Sequence, residues 1–253
     1  MNIILLTEKD QISTNVYKVN DDRFIHIKNI LKLKADDIIE IGLLNGPTGN
    51  AKIIGITEAE VSFEISSLKP LKETSIKVDI ICALPRPQTL KKVLSTCATI
   101  GVSNLYLIRS ERVEKSYFHS PLLEEGNYTK FFIEGLSQGK RTNIPKVTIY
   151  KKFKEFFENY FDEVSKNAIC LLADPSTENY LNRLSFLYQK KIILAIGPEG
   201  GWNEFEINFM EERGFVKFKL SESILRVENA VTAALAQIEL QAQINKKVNK
   251  QLT

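Results

Sequence analysis

The first seventy residues alternate apolar and polar side chains over short stretches. In segment 60–67, Val61, Phe63 and Ile65 occupy every second position and therefore share one side of an extended chain. Such alternation is typical of an antiparallel strand that has one face on a core and one in solvent. The segment therefore predicts a half-buried β-strand.

Two more strand-like segments, 37–44 and 50–57, precede it, and the sequence NGPTG at 45–49 predicts a turn between them. Together with one short helix, these strands predict a small β-barrel domain over residues 1–72. The stretch KPLKET at 69–74 is the expected linker, because proline and charged residues are common between domains.

After residue 72, apolar runs alternate with helical patterns. The strand-like runs lie at 76–83, 103–108, 146–150, 168–173, 191–196 and 215–219. The predicted helices lie at 87–100, 121–140, 151–161, 178–188, 203–213 and 227–246. Strands and helices in this order, joined by short connections, predict an α/β domain over residues 73–253. Its sheet is expected to be mostly parallel and covered on both faces.

Residues at the segment boundaries agree with this assignment. Pro87 suits a first helical turn, and Gly101 and Gly214 suit helix ends. Asn203, followed three residues later by Glu206, is the pattern of a capping box. These residues indicate where two of the helices, at 87–100 and 203–213, are expected to begin and end.

The composition is that of a globular protein, with 43% hydrophobic and 26% charged residues. The start MNIILLTEKD has an apolar run too short for a signal peptide. No apolar stretch approaches the roughly 18 residues that a membrane span needs. The expected location is therefore the cytoplasm, with no membrane partner.

Positive charge is concentrated in the middle of the chain. Residues 71–160 contain fifteen Lys/Arg and nine Asp/Glu, whereas the net charge of the whole chain is +3. This distribution is expected if one face meets a polyanion, although solvated helix faces produce the same excess.

The cysteines and histidines do not form a metal-binding pattern. Cys82, Cys97 and Cys170 are widely spaced among apolar neighbours, and the chain has two histidines. We expect buried free thiols in a reducing compartment and no metal site.

The most informative stretch is KIILAIGPEGGWNEFEI at 191–207, in which an apolar strand leads through glycines into a helix. Ligands of open α/β sheets bind at the carboxyl ends of strands, and glycines there permit close backbone approach. The spacing matches neither the dinucleotide-binding nor the phosphate-loop motif. A tight turn without a ligand remains an alternative for this stretch alone.

A second loop, within FKLSESILRVENAVTAALAQI at 218–238, leaves the next strand and enters a helix. The apolar stripe of that helix is expected to pack in a core or a subunit interface. Arg226 lies between two apolar residues at the helix entrance, where a charge is costly unless it has a partner. Arg226 is therefore a candidate functional residue.

These two loops resemble the paired cofactor loops of the 16S ribosomal RNA (uracil-N3)-methyltransferase family, a branch of the SPOUT, or α/β-knot, methyltransferases. RFIHIKNILKLKADDIIEI at 23–41 is similar to the family's N-terminal PUA-like barrel, and LIRSERVEKSYF at 107–118 to a strand and loop. Glu134, Gln138 and Arg141, with Pro145, fit its E-x-x-x-Q-x-x-R…P helix end. The resemblance spans nearly the whole chain.

The resemblance implies S-adenosylmethionine as cofactor, methylation of uracil N3 in 16S ribosomal RNA of the small ribosomal subunit, a deep trefoil knot and a homodimer. In one respect the chain departs from the family. Thr96 and Thr99 stand where a Lys and a Glu are usual, so the contribution of those two side chains is in question here.

Site residues follow from the resemblance and from residue chemistry. The expected cofactor-binding residues are Leu172, Ile196, Gly197, Pro198, Glu199, Gly200, Gly201, Leu220, Ser221, Ile224, Leu225 and Arg226. The expected catalytic residues are Arg226 and Arg141, which would stabilise negative charge on the uracil, and Glu199, as a base or as a group that orients the cofactor. The expected RNA-binding residues are Arg23, His26, Lys28, Lys32, Lys140 and Arg141.

Two other functions remain open on the sequence alone. The first is a SPOUT enzyme that acts on transfer RNA or on 23S ribosomal RNA. The second is a non-catalytic RNA-binding or ribosome-assembly factor, which Thr96 and Thr99 would allow. Binding of S-adenosylmethionine distinguishes both enzymes from the factor.

Overall fold

The computed structural model describes residues 2–70, 76–183 and 191–251. The chain divides into two compact units. The first contains Met1–Glu73 and Ile133–Ile144, and the second contains Thr74–Phe132 and Pro145–Thr253. The segment Ile133–Ile144 thus belongs to the first unit although it is distant from residues 1–72 in sequence.

The first unit is built on a six-stranded sheet. Its strands are β1 (Ile4–Leu6), β2 (Gln11–Ser13), β3 (Val16–Val19), β4 (Ile38–Leu43), β5 (Thr48–Ile56) and β6 (Val61–Lys69). They lie in the order β1-β4-β5-β6-β3-β2, and every pair is antiparallel except β1 with β4. A short helix, α1 (Asp22–Ile25), continues into a π-helical turn, His26–Leu31.

The alternating apolar side chains of β6 pack on the core of the first unit, as predicted. Val61 and Phe63 are fully buried, and Ile65 packs against the same core. Gly49, in the predicted turn region, lies so close to β6 that a Cβ atom there would be 2.0 Å from the carbonyl oxygen of Ser67. Only glycine fits at that position.

The second unit has a six-stranded parallel sheet. Its strands are β7 (Val78–Ala83), β8 (Asn104–Ile108), β9 (Lys146–Tyr150), β10 (Ala168–Ala173), β11 (Lys191–Ile196) and β12 (Phe215–Phe218), in the order β12-β10-β11-β7-β8-β9. All of its strand pairs are parallel, which confirms the predicted sheet. The carboxyl ends of its strands therefore lie at one edge.

The helices that alternate with these strands along the chain are α2 (Pro87–Ile100), α3 (Glu125–Gly139), α4 (Phe153–Asn159), α5 (Phe161–Val164), α6 (Glu204–Glu211) and α7 (Val227–Gln251). Gly101 ends α2 with a φ of 92°, as its position predicted. None of the helices within the described ranges has the length and apolar character needed to cross a membrane.

Three predicted helices differ from the structure, and two of them lie wholly within the described residues. The helix predicted at 121–140 begins at Glu125, because Pro121–Leu123 form a separate 3-10 turn and Glu124 is extended. The helix predicted at 151–161 is divided at Tyr160, whose φ and ψ of −126° and −27° leave the helical region.

For the helix predicted at 178–188, the structure has a 3-10 turn at Leu181–Arg183, and residues 184–190 lie outside the described residues. The trefoil knot and the closure of the first sheet into a barrel stay predictions.

Candidate functional site

A cavity of about 340 Å³ lies at the carboxyl ends of β10, β11 and β12. It is bounded mainly by the loop that follows β11 and the loop that precedes α7. Its lining residues are Arg112, Ala173, Asp174, Pro175, Ile196, Gly197, Pro198, Glu199, Gly200, Gly201, Trp202, Ile207, Leu220, Ser221, Ser223, Ile224, Leu225, Val227 and Ala230. This size is within the range of small-molecule sites in proteins.

The loop after β11 is a tight turn that also forms a cavity wall. The N–H of Gly201 donates to the carbonyl oxygen of Pro198 at 2.8 Å, and Gly201 has a φ of 71°. A Cβ atom on Gly197 would lie 3.1 Å from the indole of Trp202. Gly201 therefore serves the tight turn, and Gly197 packs closely against Trp202. Close approach of a ligand to these glycines stays a prediction.

The loop before α7 closes the other side. The side-chain amide of Gln237 donates to the carbonyl oxygen of Leu220 at 3.0 Å and fixes the start of this loop. Ser221 accepts a local hydrogen bond from the N–H of Ser223 at 3.2 Å. Ile224 is 86% exposed, so its side chain is largely uncovered in the monomer.

Most of the predicted cofactor residues line this cavity. The ten that do so are Ile196, Gly197, Pro198, Glu199, Gly200, Gly201, Leu220, Ser221, Ile224 and Leu225. Leu172 is fully buried inside β10, and Arg226 is exposed at the entrance of α7 outside the lining. Arg141 belongs to the first unit.

Glu199 is held at the beginning of α2. Its carboxylate accepts hydrogen bonds from the backbone N–H of Arg86 at 3.1 Å and from Nε of Arg86 at 3.3 Å. A carboxylate near a helix N-terminus is stabilised by the helix dipole. The Glu199 carboxylate therefore joins the β11 loop to the start of α2.

Three polar lining residues were missed by the sequence reasoning. Arg112 donates through Nη1 to the carbonyl oxygens of Gly200 at 2.6 Å and Trp202 at 3.4 Å. The indole N–H of Trp202 is buried without a hydrogen-bond partner among the described residues. Asp174 directly follows β10, and its position at a strand's carboxyl end was the signal that could have found it.

The predicted RNA-binding residues divide into paired and unpaired groups. Arg23 binds Asp10 and Asp21, each at 2.7 Å, and donates to the carbonyl oxygen of Leu5 at 2.7 Å. Lys28 pairs with Glu58 at 2.9 Å.

Lys140 pairs with Glu40. His26 and Lys32 have no ion pair within the described part of the chain, and Lys32 is exposed.

The cysteines are free and buried, as predicted. Burial raises the pKa of the Cys97 thiol to about 12 and that of Cys170 to about 11, so neither is a thiolate at neutral pH. Within residues 2–70, 76–183 and 191–251, no group of three His, Cys, Asp or Glu residues could hold a metal ion.

Comparison with known proteins adds a family to this geometry. The chain is 29% identical over 240 residues to ribosomal RNA small subunit methyltransferase E of Treponema pallidum, with 93% of this chain and 90% of the relative covered. It is 28% identical to ribosomal RNA small subunit methyltransferase E 1 of Borreliella burgdorferi, with 92% of this chain and 95% of the relative covered.

The fold matches a crystal structure of ribosomal RNA small subunit methyltransferase E from Neisseria gonorrhoeae bound to S-adenosyl methionine. The TM-score is 0.76 at 19% identity, with 95% of this chain and 97% of that chain covered. The sequence model of a protein family described as "RNA methyltransferase domain" matches residues 72–239, which are more than half of the chain. The chain therefore belongs to the family of the RNA methyltransferase domain.

Proposed function

We propose that this protein transfers a methyl group from S-adenosylmethionine to N3 of a uracil in 16S ribosomal RNA of the small ribosomal subunit. The observation that carries the proposal is the cavity between the loops at 196–202 and 220–227, which lies at the carboxyl ends of β10, β11 and β12. The relatives named as small-subunit ribosomal RNA methyltransferases support the choice of substrate.

The lining fits this cofactor chemically. Ile196, Leu220 and Leu225 offer apolar surface for an adenine ring, and the glycines of 197–201 leave backbone groups open to its polar edge. The indole N–H of Trp202 is a donor buried beside Gly197 and unpartnered among the described residues. When bound, S-adenosylmethionine supplies an electrophilic methyl group.

The substrate side of the reaction needs charge stabilisation, because neutral N3–H of uracil is a poor nucleophile. A cation that stabilises negative charge on the base oxygens would assist removal of the proton. Arg226 and Arg141 are candidates from sequence, and Arg112 joins them because its guanidinium lies at the cavity wall. Arg112 has no acidic partner within the described residues, so its charge remains available.

RNA binding is proposed for the first unit, as a PUA-like module. Unpaired or extruded bases are the usual targets of sequence-specific recognition and base chemistry. Lys32 and Lys34 are exposed, and neither has an ion pair in the described residues. Arg23 is not retained as a phosphate contact, because Asp10 and Asp21 already neutralise it.

We further propose that the protein forms a homodimer and acts in the cytoplasm. The side chains of Ile224, Leu240 and Ile244 are 86%, 58% and 44% exposed. Leu240 and Ile244 lie four residues apart and thus on one face of α7. Apolar side chains exposed in this way are suited to a subunit interface.

The test is methyl transfer to small ribosomal subunits from cells that lack this protein, followed by nucleoside mass spectrometry of the recovered RNA. N3-methyluridine in 16S RNA is the expected product. Gly197→Leu is the inactive control, since a larger side chain at that position would fill the space of the Trp202 indole.

The other outcomes identify the alternatives. Binding of S-adenosylmethionine without product on small subunits would direct the search to transfer RNA or 23S RNA. Absence of cofactor binding would overturn the enzymatic proposal and favour an RNA-binding assembly factor.

A further inference from the structure

Asp174 is a buried carboxylate at the cavity wall. It follows the last residue of β10, is 6% exposed, and lines the cavity described above. Burial of a charged group is costly unless hydrogen bonds or an opposite charge compensate. The partners of this carboxylate therefore indicate what it binds.

The hydrogen-bond donors to the Asp174 carboxylate come from a residue close in sequence and leave some of its acceptor positions open. Oδ1 accepts the N–H of Ser176 at 2.9 Å, and Oδ2 accepts the hydroxyl of Ser176 at 2.9 Å. No Lys, Arg or His forms an ion pair with it in the described ranges. Because a carboxylate offers about four acceptor positions, roughly one on each oxygen remains open.

The backbone fixes where this carboxylate lies. The N–H of Asp174 donates to the carbonyl oxygen of Phe218 at the end of β12, at 3.1 Å. On the other side, Leu172 is in register with Ala195 of β11. Asp174 therefore stands between the strands that lead into the two cavity loops.

We infer that the Asp174 carboxylate binds the 2′- and 3′-hydroxyl groups of the cofactor's ribose. One open acceptor on each of two adjacent oxygens matches two neighbouring hydroxyl donors. A sulfonium carries no hydrogen to donate and would satisfy neither position. Hydrogen bonds to an ionised acceptor are among the stronger ones in proteins. The inference rests on the proposed function, because it requires a nucleoside in this cavity.

Calorimetric titration of the intact protein with S-adenosylmethionine and with S-adenosylhomocysteine tests the assignment. Asp174→Asn keeps an acceptor for the N–H of Ser176 but removes the charge. We expect it to weaken both ligands by the same factor, about 10- to 100-fold. Ser176→Ala is the matched control, since it loses a bond to Asp174 and does not line the cavity. Its affinities should stay within about 3-fold of wild type.

A 2′-deoxy analogue of S-adenosylhomocysteine makes the test specific for the ribose. If the carboxylate binds the hydroxyls, Asp174→Asn should weaken this analogue clearly less than it weakens the parent compound. Thermal melting of each variant shows whether the fold is kept.

Three results would overturn the inference. Equal affinities in wild type and Asp174→Asn would exclude a contact. A loss at least tenfold larger for S-adenosylmethionine than for S-adenosylhomocysteine would indicate pairing with the sulfonium. A wild-type protein that binds neither ligand would overturn the proposed cofactor as well, whereas the first two results leave that proposal intact.

Discussion

The buried carboxylate of Glu206 accepts the backbone N–H of Glu111 at 2.8 Å, so the first turn of α6 and the loop after β8 are joined although they are 95 residues apart in sequence. Its other oxygen accepts the N–H of Asn203 at 3.0 Å and completes the capping box of α6. Glu206 is 2% exposed. One side chain therefore both starts a helix and positions the loop that carries Arg112.

Glu206→Ala should lower the free energy of unfolding by about 1 to 3 kcal/mol, because the N–H groups of Glu111 and Asn203 both lose their acceptor. Affinity for S-adenosylmethionine should fall with it. Urea unfolding and calorimetric titration measure the two effects. Glu204→Ala, at an exposed position of the same helical turn, is the control and should change stability by less than about 0.5 kcal/mol. Equal effects of the two substitutions would contradict the role of Glu206.

Glu199→Gln separates an orienting role from that of a general base. We expect methyl transfer to fall by less than about tenfold, because the amide oxygen can still accept from Arg86, whereas loss of a base costs about 100-fold or more. Rates of methyl transfer from pH 6 to about pH 9 give the answer. A loss of 100-fold that is relieved at high pH would make Glu199 the base.

Arg112→Ala should reduce the rate of methyl transfer by about 10- to 100-fold, because it removes a fixed cation from the cavity wall and two hydrogen bonds to carbonyl oxygens of the β11 loop. Arg112→Lys keeps the charge and should recover part of the rate. Single-turnover kinetics with saturating RNA and cofactor provide the measurement.

Lys115→Ala is the matched control for Arg112, since Lys115 lies outside the cavity lining. Loss of cofactor affinity alone, with an unchanged rate at saturation, would assign Arg112 to loop positioning and remove it from the candidates for charge stabilisation.

The Arg23 cluster predicts a dependence of stability on pH. Hydrogen bonds from Arg23 lower the pKa of Asp21. Burial acts to raise the pKa of Asp10, but hydrogen bonds from Arg23 and Thr7 outweigh it and lower that pKa as well. Both folded-state values thus lie below the usual 3.8, so this stability is complete above about pH 4 and is lost as the pH falls through the lowered values.

Arg23→Met should therefore destabilise the protein by about 2 kcal/mol at pH 7 and flatten the decline of stability below about pH 4. Urea unfolding at several pH values tests this. Lys18→Ala, which breaks the exposed pair with Glu60, should cost less than about 1 kcal/mol. An unaltered acid dependence in Arg23→Met would refute the assignment.

The unpaired lysines of the first unit predict a salt effect on RNA affinity. Replacing both Lys32 and Lys34 by alanine should reduce the slope of log affinity against log salt by up to about 2, because each lysine that neutralises a phosphate adds about one to that slope. Lys28→Ala should change the slope less, because Glu58 already pairs with Lys28. Filter binding at several salt concentrations is the measurement, and equal slopes for all variants would remove these lysines from the RNA interface.

The sequence by itself determined the local features. Alternation at Val61 and Phe63 predicted a strand with one buried face, because side chains of a strand point to opposite sides. Asn203 and Glu206 predicted the start of α6, since the two residues of a capping box lie within one helical turn of each other. The glycines within 197–201 predicted a tight turn, because glycine can adopt the positive φ that Gly201 has there.

Only the tertiary structure decided which distant residues meet. Arg112 contacts Gly200 from 88 residues away, and Asp174 enters the cavity wall because β10 lies beside β11 and β12. Arg23 was expected from the sequence to bind RNA, yet the fold places Asp10 against it. Such contacts depend on strand order and on packing between elements, and these are set by long-range interactions that no local pattern of residues encodes.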